Sequence, residues 1–537
     1  MSFSQFHNPS TLAGDPWDSG LRDTDGSIMY ETDWKVLRDE IIRRNDAETL
    51  KRYIEKYPET GLEPEPVHYY PEVFFVATRH GCVDALRVLL AYYHANLDKA
   101  VPLEERDIVL LNIACQYAQL ETVHFLLDSQ PPLGNIRDKS SEGETALLSA
   151  AKSFTWLGKM TSDQIEERLT RSERLMYMLL DRGASVHDVT MAQDEYNASL
   201  PPQPRNTVLS LAISRASYKL VKRLIERGAN VHTKQAHADA RFGFETDLRD
   251  VTALHYGSIY WNAEGVRALL DHPGKAKIAD MVSVRDSFGM LPLHWAAIGD
   301  DTREQERHFR EDEILPRYIG ILKILLTANP STINMQDNEG STALHYVVIN
   351  YVDTNRKGLK DIIQFLCENG ADASILNYEG QTALHLLALC SRDCDPVDTA
   401  VIDLLIANGL DIHQTDKSGA TALHAMSMCL RQIPVLRYLL KLGADATIQD
   451  SEGNTPLHKL MTRPYLRTEN VTLAQRIAAL DEITAALQEA GKVNMMDQPN
   501  AAGQTPQQLR VKIMAIWQKA EEHRTERETR GVQGYGH

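Results

Sequence analysis

One phrase returns along the second half of the chain: VTALH (251–255), LPLH (291–294), STALH (341–345), QTALH (381–385), TALH (421–424) and NTPLH (454–458). The histidines His255, His294, His345, His385, His424 and His458 follow one another at 39, 51, 40, 39 and 34 residues. After each phrase comes an apolar, helix-like run that ends near a Leu-Leu pair. A Gly-Ala or variant follows, as at Gly183-Ala184, Gly228-Ala229, Gly370-Ala371 and Gly443-Ala444. Then come a short extended piece and an Asp-x-x-Gly turn, as at Asp337–Gly340, Asp416–Gly419 and Asp450–Gly453. A unit of this length cannot bury its own apolar face, so each copy must pack on the next and the fold must be a stack.

The letters suit that role. Threonine caps a helix start by accepting a bond from an orphan N–H. Pro292 and Pro456 fall where the first helical residue needs no donor. The glycine ends the second helix in the left-handed conformation, and Asn329 in LLTANP stands at that glycine position. The pattern resembles the ankyrin repeat. The resemblance spans residues 70 to 510, sharp in the second half and looser in the first. FFVATRHGCVDALRVLL (74–90) keeps the helix–Gly–helix rhythm, and LLNIACQYAQLETVHFLL (110–127) keeps it with Ala118 for the glycine. ETALLSAAKSF (144–154) and NTVLSLAIS (206–214) keep Thr145 and Thr207 but carry Leu148 and Ser210 in place of histidine. The resemblance implies an all-α solenoid of about eleven helix-turn-helix repeats with hairpin fingers.

A histidine on a schedule is either a row of ligands or bases or a repeated structural part. Stacked repeats lie a helix-packing distance of about 10 Å apart, whereas zinc ligands must all reach within about 2 Å of one ion. The six histidines therefore cannot share a metal. The resemblance implies that each packs at its helix start and bonds the motif threonine and neighbouring backbone. His294 lacks that partner, because Leu291 stands where threonine should. Cys390, Cys394 and Cys429 with His413 are a weak metal pattern without a second Cys pair, and Cys115 and Cys367 fall on core positions. His187, His232 and His413 share one finger position and read as loop hydrogen-bonding residues. HPGKAK (272–277) lacks the leading glycine and the Ser or Thr of a phosphate loop. No nucleophile elbow, HExxH or kinase signature is present, so the reading is no enzyme, no metal and no cofactor.

Net charge of −17 disfavours direct nucleic-acid binding. No uncharged apolar run of about eighteen residues exists, so no membrane span is expected. The first twenty residues lack a basic region followed by an apolar run. Six scattered cysteines read as reduced thiols of a cytoplasmic, or alternatively nuclear, protein. The expected organisation is a flexible arm over 1–30, degenerate capping helices over 31–67 and divergent repeats over 68–235. Regular repeats with insertions follow over 236–499, then a capping helix and charged tail over 500–537. WKVLRDEIIRRNDAETLKRYIEKY (34–57) supplies the first cap.

Insertions fall between the two helices of a repeat: 35 residues separate Leu148 from Gly183, against 18 from Ser210 to Gly228. Two of them, 158–174 and 299–318, are strongly charged and read as a solvated helix extension or as a second binding edge. The expected function is a monomeric protein-interaction scaffold or adaptor, the alternative a nuclear transcriptional co-regulator. An enzyme or metal protein with a site in the insertions is a more distant reading. The resemblance places partner contacts on fingers and on inner-helix ends. By position the finger residues are Phe288, Met290, Asn338, Glu339, Ser341, Tyr378, Gln381, Lys417 and Ala420. The helix residues are Ile298, Ile349, Asn350, Leu389, Cys390, Met428 and Cys429.

Overall fold

Each TALH-type phrase opens a short helix, and each Leu-Leu run forms a second helix antiparallel to it. The computed structural model describes residues 18–22, 28–30, 34–62, 72–103, 105–106, 108–155, 160–191, 203–237, 248–274, 276–299, 311–353, 358–391, 395–462, 464, 471–492 and 494–533. The chain divides into two units, Met1–His237 and Ala238–His537.

In the first unit five helix pairs follow in order: Trp34–Arg43 with Ala47–Lys56, Val73–His80 with Val83–Ala95, Leu110–Gln116 with Leu120–Asp128, Ala146–Lys152 with Ser162–Asp181, and Val208–Ala212 with Tyr218–Glu226. The loose letters of this half conceal a strict geometry. Between the helices of the first three pairs, Asn45, Gly81 and Ala118 all take positive φ, 53°, 74° and 54°. Ala118 thus adopts the left-handed turn that its glycine counterpart adopts freely. Where a flexible arm is expected, Asp18–Arg22 and Ile28–Tyr30 pair as antiparallel strands. The β-prone run Ile-Met-Tyr accounts for one of them; the rest of 1–33 lies outside the described residues. A second antiparallel pair, Val189–Met191 with Pro204–Thr207, elaborates a finger.

In the second unit the pairs are Ala253–Ile259 with Ala263–Asp271, Pro292–Ile298 with Glu311–Ala328, Ala343–Asp353 with Leu359–Glu368, Ala383–Cys390 with Ala400–Ala407, Ala422–Ser427 with Ile433–Lys441, and Pro456–Thr462 with Leu473–Gly491. The helix Pro506–Gln533 follows. Each first helix packs on the first helix of the next repeat. The motif leucines Leu254, Leu293, Leu344, Leu384, Leu423 and Leu457 are buried in that seam. Pro292 and Pro456 open their helices as expected.

Insertions lengthen second helices. Ser162–Asp181, Glu311–Ala328 and Leu473–Gly491 hold 20, 18 and 19 residues, against 9 in Ile433–Lys441. Residues 158–159 and 300–310 of the charged stretches lie outside the described residues. Asn329 is a correction: its φ is −154°, extended rather than left-handed. Pro330 disfavours the helical region for its predecessor, and the Asn329 side chain accepts from the Ser331 N–H to start a 3₁₀ turn. Among the described residues no helix is long and apolar enough to cross a membrane.

Candidate functional site

The repeated histidine is a staple between repeats. In the STALH copy, His345 Nδ1 accepts from the Thr342 backbone N–H at 3.1 Å and from its hydroxyl at 2.9 Å. Its Nε2–H donates across the joint to the Gln381 carbonyl at 3.2 Å, just before the next repeat's threonine. His385 repeats this with Thr382 and Ala420, and His424 with Thr421 and Asn454. His255 reaches the Met290 carbonyl, and His458 that of Gln498. Both ring nitrogens are thus used, in the neutral tautomer protonated at Nε2. The threonine hydroxyl mainly orients the imidazole, and that of Thr382 also accepts a longer 3.4 Å bond from the His385 N–H. His294 without its threonine keeps two of three contacts, the Leu291 N–H at 2.9 Å and the Met335 carbonyl at 3.0 Å.

Burial drives these imidazoles toward the neutral form. It pushes the pKa of His345, His385, His424 and His458 down, and that of His294 down to about 4. Next to His294 lies a polar cluster that the sequence did not announce. Asp286 accepts from Trp295 Nε1 at 2.8 Å, and Asp337 from the Tyr346 hydroxyl at 2.5 Å. Burial pushes the Asp286 carboxyl up to about 6 against those hydrogen bonds.

The fingers form a second continuous chain of contacts. In each, an Asp or Asn oxygen accepts from backbone N–H groups two and four residues on: Asp286 from Phe288 and Met290, Asp337 from Glu339 and Ser341, Asn377 from Glu379 and Gln381. Finger then bonds to finger: Asn338 N–H to the Phe288 carbonyl at 2.9 Å, Tyr378 to Glu339 at 2.8 Å, Lys417 to Glu379 at 2.9 Å, Ser451 to Ser418 at 2.8 Å, and Ala501 to Glu452 at 2.9 Å.

This scaffold sorts the sequence-predicted contact residues. Asn338, Glu339, Tyr378 and Lys417 stand exposed at finger tips, and Tyr378 keeps 58% of its surface. Phe288, Gln381, Ala420, Ile298, Ile349, Asn350, Leu389, Cys390 and Met428 are half-buried. Met290, Ser341 and Cys429 are buried, which withdraws them from an accessible surface. The reason is positional. Met290, like Gln381 and Ala420, lends its carbonyl to a histidine of the preceding repeat, while Ser341 closes its own turn through its N–H and carbonyl. Cys429 Sγ sits between the Ala388 and Ala425 carbonyls at 3.4 Å each. The tips also expose Glu379, Ser418, Ser451 and Glu452, which sequence reasoning left out. Their position two residues after the turn's Asp or Asn, or one, was the available signal.

Comparison with known proteins agrees with this geometry. Residues 317–397 and 396–463 match the family model described as ankyrin repeats in three copies. Inversin of Mus musculus is 27% identical over 208 residues, 34% of this chain and 18% of inversin. The NAD-dependent deacetylase sir2B of Dictyostelium discoideum is 21% identical over 437 residues, 77% of this chain and 44% of that protein. An ankyrin repeat protein of Acanthamoeba polyphaga mimivirus is 22% identical over 284 residues, 50% of this chain and 29% of its own. The chain therefore spans less than half the length of each of these relatives.

Proposed function

We propose, on the premise that this chain belongs to the ankyrin-repeat family, that the unit Ala238–His537 seats a protein partner on its finger tips and on the neighbouring ends of its first helices. The repeat array is a protein-interaction scaffold. The observation that carries the finer reading is Tyr378: a large aromatic side chain 58% exposed on a tip whose backbone is locked from both sides, by Glu339 before it and by the Lys417–Glu379 bond after it. An aromatic held out on rigid backbone loses little conformational entropy when it is covered, which is what makes a contact hot spot. Charged and polar tips on either side, Glu339, Glu379 and Lys417, supply the rim. Ile298, Ile349, Leu389 and Met428 add half-buried apolar surface behind it.

The same proposal includes a monomeric chain acting in the cytoplasm or nucleus, to be checked by light scattering and by fractionation of the native cell. The test of the surface is affinity capture with mass spectrometry, followed by titration of the partner against Tyr378→Ser/Lys417→Glu. These tips are exposed, so thermal stability should barely move while affinity falls by about 2 kcal/mol, the scale of a hot-spot pair. Undiminished affinity would move the partner off the fingers.

A further inference from the structure

In a chain of net charge −17, one stretch of the first unit gathers arginines with no acid to answer them. Arg79 lies in the last turn of the helix Val73–His80, Tyr117 follows the helix Leu110–Gln116, and Arg168 lies in the long helix Ser162–Asp181. The Arg79 guanidinium sits 4.9 Å from the centre of the Tyr117 ring and 6.0 Å from that of Phe75. The Arg168 guanidinium sits 5.7 Å from the same Tyr117 ring. Arg168 is 4% exposed, donates to the Gln116 carbonyl at 2.8 Å, and has a buried Nε–H with no partner. Among the described residues no carboxylate pairs with Arg43, Arg79 or Arg168, and Arg171 nearby has only a loose 3.9 Å contact with the exposed Glu167. The positive field is felt by its neighbours. Burial, then Arg43 and Arg79, pushes the His80 pKa down, and burial, then Arg171, lowers that of Arg168.

A buried guanidinium without a counter-charge is costly. Stacking on Tyr117 offsets part of that cost, and an oxyanion from outside would offset more. Arg43 and Arg79 stand exposed in the last turns of the first helices of successive repeats, so a ligand crossing the repeats would meet them in turn, with the buried Tyr117–Arg168 stack against Arg79. The row stops there, because Lys152 at the matching place is already paired with Glu144. We propose that the exposed Arg43 and Arg79, backed by the buried Tyr117–Arg168 stack, form a receptor for an acidic, extended segment of a partner protein, distinct from the finger surface of the second unit. Repeats about 10 Å apart match roughly every third residue of an extended peptide, so carboxylates at that spacing would each find a guanidinium fork. The half-buried Phe75 ring suits an apolar residue between them. A protein segment fits the overall acidic field better than a nucleic acid, which would bring a continuous run of phosphates toward it.

The test is fluorescence anisotropy of the full chain with a labelled synthetic peptide carrying glutamate at every third position. Binding should saturate and weaken as salt is raised across the Debye range. Arg43→Gln/Arg79→Gln should weaken it roughly tenfold with an unchanged circular dichroism melt. The charge-matched control Lys51→Gln/Lys219→Gln, on exposed positions of second helices, should leave it intact. Arg79→Lys keeps the charge but loses the planar fork and should still weaken binding. Tyr378→Ser should have no effect, which separates this site from the finger surface. No saturable binding, equal loss in the two double variants, or displacement by single-stranded RNA at lower concentration would each overturn the assignment.

Discussion

The two units share one topology and hold it together with different chemistry. In the unit Ala238–His537 six successive repeats use the same neutral, buried staple, histidine to backbone carbonyl, and the same ladder from finger to finger. In the unit Met1–His237 the described joints are improvised. The Asn45 carboxamide oxygen accepts from the Asp84 and Ala85 N–H groups, both at 3.0 Å. Gln119 donates to the Arg79 carbonyl at 2.7 Å, and Glu173 accepts from both N–H and hydroxyl of Ser217. Exposed ion pairs join second helices, Arg182 to Asp128 and Arg223 to Asp181. A stack needs a hydrogen bond at each joint, but it does not need the same one. Repetition in sequence therefore reports a repeated chemical solution, while the fold itself tolerates many.

The largest consequence concerns acid. The staple requires a neutral imidazole whose Nδ1 accepts, and burial holds five of the six described staple histidines below their ordinary value. In the unfolded chain each titrates near 6.5. Between 6.5 and the folded value, down to about 4 for His294, the unfolded state binds more protons. The stabilisation is thus complete above pH 6.5 and is lost as pH falls toward the folded values. Each histidine can contribute about 1.4 kcal/mol per pH unit over its window, and several titrate together. We expect the second unit to lose amide protection first on acidification from pH 7 to 5. Hydrogen-exchange mass spectrometry, corrected for intrinsic rates, reads this. Equal loss in both units would show that the staples do not control acid stability.

Single staples come next. His345→Ala orphans the Thr342 N–H, leaves the Gln381 carbonyl only the Asn377 N–H, and empties a buried joint, so it should cost about 3 kcal/mol. Thr342→Ala leaves the backbone contact to Nδ1 in place and should cost about 1 kcal/mol. Among the described residues of the first unit, Asn112 takes the histidine's role: its Nδ2 donates to the Glu144 carbonyl of the next repeat at 2.6 Å. Asn112→Ala should cost about 1 kcal/mol. Urea unfolding of each variant gives the ranking, and an Asn112 effect as large as that of His345 would erase the contrast between the units.

These contrasts also explain what could be read in advance. The second unit was legible because the staple, the cap and the turn each need particular side chains, so the same letters return. The first unit was legible only as rhythm. Asn112 does the work of a histidine without looking like one, and Ala118 takes a glycine's backbone at positive φ. Of the proposed contact surface, the tips Asn338, Glu339, Tyr378 and Lys417 could be placed by counting from the turn. Met290 and Ser341 could not, because their burial comes from bonds inside the finger and to the preceding repeat. Asn329 was misread because the proline after it outweighs the position's glycine habit. The Tyr117–Arg168 stack joins residues 51 apart in sequence and carries no motif.

The smallest expected effect isolates the finger ladder by comparing two glycines of the same conformation. Gly380 in the second unit has φ +74°, and Gly143 in the first has φ +79°. Alanine at either pays the left-handed penalty of about 1–2 kcal/mol. A Cβ on Gly143 would meet nothing within 4 Å. One on Gly380 would lie 2.9 Å from the Lys417 backbone nitrogen, the donor that bonds the Glu379 carbonyl at 2.9 Å. Backbone held in a ladder cannot swing aside as a flexible side chain can. Gly380→Ala should therefore cost about 1 kcal/mol more than Gly143→Ala, the net worth of one hydrogen bond, in urea unfolding. It should also shift the Lys417 amide resonance. Equal costs with an unmoved Lys417 amide would mean that adjacent fingers slide freely, and Tyr378 would then lose the rigid backing on which its proposed contact depends.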